Sequence, residues 1–107
     1  MKGPLNAISK VSKDIIASGQ TVTLIGSTAS WGSESSCREL AEERCLVVQN
    51  ILIEQGVDIN KLQIVAIGRD KNSPLRVADI DFQGNFIESE GKKNRFVFIT
   101  SDLDAVI

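Results

Sequence analysis

A chain of 107 residues with net charge −2 and no histidine has room for one domain, and it lacks the commonest general base and metal ligand. Acids and bases are interspersed, which leaves no basic face for nucleic acid or an anionic membrane. An apolar share of 42% suits an ordinary globular core, and no apolar run is long enough for a membrane span or a signal peptide. The chain is therefore expected to be one domain over residues 1–107, and the start Met1-Lys2-Gly3-Pro4 reads as that of a fragment of a longer protein.

Taken in order, Pro4 suits a first helical turn, and Leu5, Ile8, Val11, Ile15 and Ile16 recur at helical spacing up to a stop near Ser18-Gly19. Thr21 to Ile25 read as a strand running into a turn at Gly26. Ser27 to Ser35 form a polar loop interrupted by Trp31, which is expected to pack over the next helix start; a stacking platform for a sugar or peptide is the alternative.

The clearest element is the long helix that follows. Ser36 and Glu39 form a Ser-x-x-Glu capping box, and Gly56 marks the stop, with Val57 behind it for the apolar contact. Leu40, Ala41, Val47, Val48, Ile51 and Leu52 predict one apolar stripe. Arg44 falls inside that stripe, and Cys37 points almost the same way. A guanidinium there is costly unless an anion meets it. Two readings stay open: a structural ion pair or snorkelling side chain, or a group that waits for an anionic ligand. Cys37 and Cys45 are about 12 Å apart along the helix, too far for a disulfide between them. Cys45 reads as a packed thiol, and Cys37 as an inert, partly buried thiol or, at an open pocket in an oxidising compartment, as one open to modification or pairing between chains.

Beyond the helix, Leu62 to Ile67 predict a strand buried on both faces, and Gly68 to Pro74 a solvated loop. Asp79 to Gly84 followed by Glu90 nearly matches a calcium loop, with Gln83 as the departure. Such loops need a helix on each side. Pro74 before it and a strand after it argue for coincidence, so no metal and no cofactor are expected. No nucleophile, oxyanion site or phosphate loop has recognisable spacing, so no enzyme is expected. Phe96 to Ile99 predict a central strand, and Ser101 to Ile107 a short acidic-apolar tail. This order of elements predicts an α/β (α+β) sandwich with helices on one face of a small mixed sheet.

From about residue 20 onward the chain resembles the OmpA-like domain, the cell-wall-binding module of Gram-negative outer-membrane proteins and lipoproteins. Gly26, Thr28, Gly32, Ser33, Leu40, Arg44, Gly56 and Gly68 fall on its motif without a gap, and Glu90, Gly91, Asn94, Arg95, Val97 and Ile99 match its ending. The resemblance implies that the family's first strand is missing from this chain. It also implies a site for the peptidoglycan stem peptide made by Ser27, Thr28, Ala29, Cys37, Leu40 and Arg44, with Asn94 and Arg95 from the C-terminal motif.

The departures fall on that site. In the family an Asp receives the ammonium of diaminopimelate, an Asn helps hold the ligand and the helix Arg receives its carboxylate. Here those positions are Ala29, Cys37 and Arg44, and the second Arg of the ending is Phe96. A lost charge-assisted hydrogen bond costs about 1.5–3 kcal/mol, so Ala29 alone is expected to weaken a family-type complex by roughly one to two orders of magnitude. The expected function is a non-catalytic periplasmic domain of an outer-membrane-associated protein or lipoprotein, of the kind that anchors to peptidoglycan, with weakened or lost diaminopimelate binding. The alternative is a structural subunit of an envelope-spanning assembly such as a secretion system. Expected partners are peptidoglycan and other envelope proteins.

Overall fold

The computed structural model describes the backbone of residues 3–100 and side chains from residue 10 onward. The elements are α1 (Gly3–Ser18), β1 (Val22–Ser27), α2 (Glu34–Glu54), β2 (Leu62–Gly68), α3 (Glu88–Gly91) and β3 (Phe96–Thr100). Single 3-10 turns at Ile59–Lys61 and Lys92–Asn94 precede β2 and β3. The side chains of Leu5 and Ile8 and the tail from Ser101 lie outside the described residues.

The sheet has three strands in the order β2-β1-β3, with β1 parallel to β2 and antiparallel to β3. It is the small mixed sheet expected, but its centre is elsewhere. β1 is buried along its whole length, whereas β3 lies at an edge and leaves Phe98 42% exposed. β2 is also outer, with Gln63 and Val65 open to solvent. The apolar runs in β2 and β3 suggested two-sided burial. Among the described residues each has only one β-neighbour, and a single helix layer covers one face.

α2 starts three residues before the predicted box. Ser33 is the N-cap, and its hydroxyl accepts from the Ser36 N–H at 3.1 Å, so Ser36 is the third residue of the helix. The far end behaves as expected. Gly56 takes φ 102° and donates to Ile53 O at 2.9 Å, while Val57 N–H reaches Leu52 O at 3.0 Å. These two bonds form a Schellman motif, and buried Val57 and Leu52 make its apolar contact.

The buried line of α2 runs through Cys37, Ala41, Cys45 and Leu52, while Leu40 and Val47 are exposed. The stripe is rotated toward the small residues, and Gly26 supplies the reason. Gly26 lies within β1, not in a turn, and a Cβ placed there would stand 2.5 Å from Ala41 O and 2.7 Å from Cys45 Sγ. The helix backbone rests directly on the strand, and only small side chains fit between them. Cys45 is packed there, with its thiol pushed up to about 11 by burial and by Glu42. Ile15, Val22, Leu24, Leu52, Val57 and Leu62 close the core around it.

Candidate ligand site and the polar network beside it

The end of β1 and the loop after it carry Ser27, Thr28, Ala29 and Ser30, all buried. A register shift at Gly26/Ser27 sets Ser27 opposite Gly68, whose φ of 56° turns the chain so that Thr28 N–H reaches Gly68 O at 2.9 Å. The Ser30 N–H donates to Asp79 Oδ2 at 2.8 Å. The loop is therefore held by β2 on one side and by the segment before α3 on the other.

That segment contributes a closed polar network. The side chains of Arg76 and Asp79 are 2% and 3% exposed, with Nη2 and Oδ2 3.5 Å apart. Arg76 also donates to Ser27 Oγ (3.1 Å), Thr28 O (2.8 Å) and Ser30 Oγ (3.2 Å). Asn94 is fully buried: its Oδ1 accepts from Val77 N–H at 2.8 Å, and its Nδ2 donates to Val77 O (2.8 Å) and Asp79 Oδ2 (3.0 Å). Burial acts to raise the Asp79 pKa, but the hydrogen bonds from Ser30 and Asn94 and the Arg76 charge outweigh it, and the net shift is downward. Burial lowers the Arg76 pKa more than the Asp79 charge raises it.

The positions matching the family's ligand residues present a different picture. Ala29 is 4% exposed, and its Cβ lies 3.3 Å from where a Cβ on Gly91 would stand. The Phe86 ring edge closes over Gly91, at 2.3 Å from the same point. Cys37 is buried and turns its thiol to Trp31 O (3.2 Å) and Ala29 O (3.6 Å). Arg44 is half-buried, and its Nη1 is enclosed with no hydrogen-bond partner among the described residues. Thr28 Oγ1 is the other enclosed side-chain atom without a partner among them. No carboxylate among the described residues pairs with Arg44, so the structural ion pair anticipated as one reading is not formed there.

The remaining members of the expected set lie apart. Leu40 is on the exposed side of α2, and Ser27 and Asn94 are taken up by the Arg76 network. Arg95 is exposed and donates from Nη1 and Nη2 to the two carboxylate oxygens of Glu88. Phe96, at the second Arg position of the family ending, pairs with Ser27 as the first residue of β3.

Trp31 does not cover the helix start. It is 72% exposed and meets Phe86 with ring centroids 5.4 Å apart, tilted by 57°. Phe86 is placed by a small hairpin in which Ile80 bridges to Phe86 and Asp81 accepts the N–H groups of Gln83 and Asn85 at 2.9 Å each. Thus the calcium-like stretch is a turn with its carboxylates in other work: Asp79 in the network, Asp81 in the turn, and Glu90 paired with Lys93 at 3.1 Å. No group of three or more metal-binding side chains comes together among the described residues. Arg76 carries the network but had no signal of its own, since a lone Arg in a loop follows no period.

Helices on one face of a mixed three-stranded sheet, with the long helix resting on a strand glycine, define a small α+β module. The chain belongs to the OmpA family, whose family profile matches residues 3–81. It is similar to the peptidoglycan-associated lipoprotein of Pseudomonas aeruginosa, at 34% identity over 67 residues, which is 63% of this chain and 40% of that protein. The chain thus spans less than half the length of that relative. Among solved structures, the peptidoglycan-associated lipoprotein from Burkholderia pseudomallei superimposes with a TM-score of 0.75 at 16% identity, covering 90% of this chain and 75% of that one. The C-terminal domain of Helicobacter pylori MotB gives 0.64 at 23% identity, covering 94% and 74%. The OmpA-like domain of FopA1 from Francisella tularensis gives 0.68 at 17% identity, covering 91% and 61%. No helix among the described residues is long and apolar enough to cross a membrane.

Proposed function

We propose that this chain is a non-catalytic periplasmic module of an outer-membrane-associated protein, of the type that approaches peptidoglycan, in which diaminopimelate recognition is weakened or lost. The observation that carries this reading is Ala29. It is buried against Gly91 with the Phe86 ring above, so the receptor for the ligand's ammonium is replaced by apolar contact. Arg44 keeps the carboxylate half of the chemistry, and its enclosed Nη1 still lacks a partner among the described residues. An unmet guanidinium N–H costs stability, so its retention fits a residue whose partner arrives with a ligand.

The reading as a structural subunit of an envelope-spanning assembly draws on a separate feature. Phe82 sits almost wholly exposed at the tip of the Asp81 turn, and Trp31 is open at the same end. Large exposed aromatics grouped there suit a protein contact. Cosedimentation of the domain with purified sacculi, in low and high salt, separates the two. Retention that is lost in Arg44→Ala supports the cell-wall reading. No retention, with the fold intact, means that recognition is lost outright and leaves a protein contact, the subunit reading, as the function.

A further inference from the structure

We propose that the cleft on the β2 flank of α2 is a second ligand site, one that takes a small molecule bearing a carboxylate or phosphate group. The cleft holds about 820 Å³, within the range of ligand sites, between the start of α2, the end of β2 with its loop, and residues 76–80. It is distinct from the Arg44 position. Arg38 lines it, and six positions along a helix set Arg38 and Arg44 about 120° apart around the axis. Neither Ala29 nor Cys37 lines it.

The charges in the cleft are unevenly satisfied. Arg76 and Asp79 answer each other in its floor. Above them stand Arg38, Arg69 and Lys71 against Glu34 and Asp70, a surplus of one positive charge in a chain of net charge −2. Asp70 Oδ1 accepts the Asn72 N–H at 2.9 Å. Arg69 is held by a backbone carbonyl, Gly32 O, so its position is fixed while its charge stays unneutralised. Arg38 and Lys71 have no hydrogen-bond or ion-pair partner among the described residues. The cleft thus lines a concave floor with one hydrogen-bonded guanidinium and two cations without a partner among the described residues, groups suited to an anionic oxygen ligand.

The test is an amide NMR titration of the 107-residue chain with inorganic phosphate and, separately, with tricarballylate, each against sodium chloride at matched ionic strength. Saturable shifts at Arg38, Arg69 and Lys71 are expected. Saturation by phosphate alone assigns a phosphate ligand, and saturation by tricarballylate alone a carboxylate ligand. Arg38→Ala/Lys71→Ala, both exposed positions, should weaken binding about tenfold or more. Shifts matched by sodium chloride, or equal affinity in the double variant, would overturn the proposal. A negative result at Ala29 and Arg44 leaves this test unaffected, since those residues report the other site.

Discussion

Two sets of enclosed polar atoms in this domain are built in opposite ways. Around Arg76 and Asp79 the donors and acceptors meet one another: Asp79 takes Ser30 N–H, Asn94 and the guanidinium, and Arg76 reaches Ser27, Thr28 and Ser30. Around Arg44 and Thr28 enclosed polar atoms are left without partners among the described residues. A closed network rigidifies the loop and contributes to folding, whereas unmet donors detract from stability unless a ligand meets them. The contrast separates the scaffold of the site from its chemistry. On the proposed reading the scaffold is kept and the ligand chemistry is half present.

The largest expected effect breaks the closed side. Asp79→Ala leaves the Arg76 charge buried and uncompensated, and should lower stability by about 3–5 kcal/mol in urea denaturation. Asn94→Ala removes the bonds that meet Val77 N–H and Val77 O, with an expected loss of about 1–3 kcal/mol by the same measurement. The pH dependence follows from Asp79. Its pKa is lower in the folded state, so its contribution is present above about 3.9 and is lost as pH falls through the folded value. Urea midpoints should fall with acid in the parent and fall less steeply in Asp79→Asn. The smallest effect is on the open side, where Arg44→Met should shift stability by no more than about 1 kcal/mol. A loss above about 3 kcal/mol there would mean that Arg44 is a structural ion-pair member, and the contrast would collapse.

Much of the scaffold was legible before any coordinates. The stop at Gly56-Val57, the first helix up to Ser18 and the three strands follow from spacing and turn chemistry. What was misplaced has a common cause, which is that burial on a sheet depends on neighbours remote in sequence. β3 looked central because Phe96 to Ile99 are all apolar, yet it has one β-neighbour among the described residues. The α2 stripe was drawn through Leu40 and Val47, because large apolar residues dominate a periodicity. The true contact runs through Cys37, Ala41 and Cys45, because Gly26 admits the helix backbone. At the site, the departure at Ala29 from the family's Asp is readable from the motif. The aromatic cover from Phe86 and the Arg76 network are not, since Arg76 meets residues nearly fifty positions away and Phe86 meets Trp31 from still further along the chain.

The most direct measurement is an amide NMR titration with a diaminopimelate-containing muropeptide, run on the parent chain and on Ala29→Asp side by side. The account predicts no saturation in the parent up to about 1 mM, and saturable shifts at Ser27 to Ser33 and Arg44 in Ala29→Asp, with a gain of about tenfold or more. Saturation of the parent well below that concentration, with shifts at Arg44, would show a working receptor and contradict the claim that its chemistry is half lost.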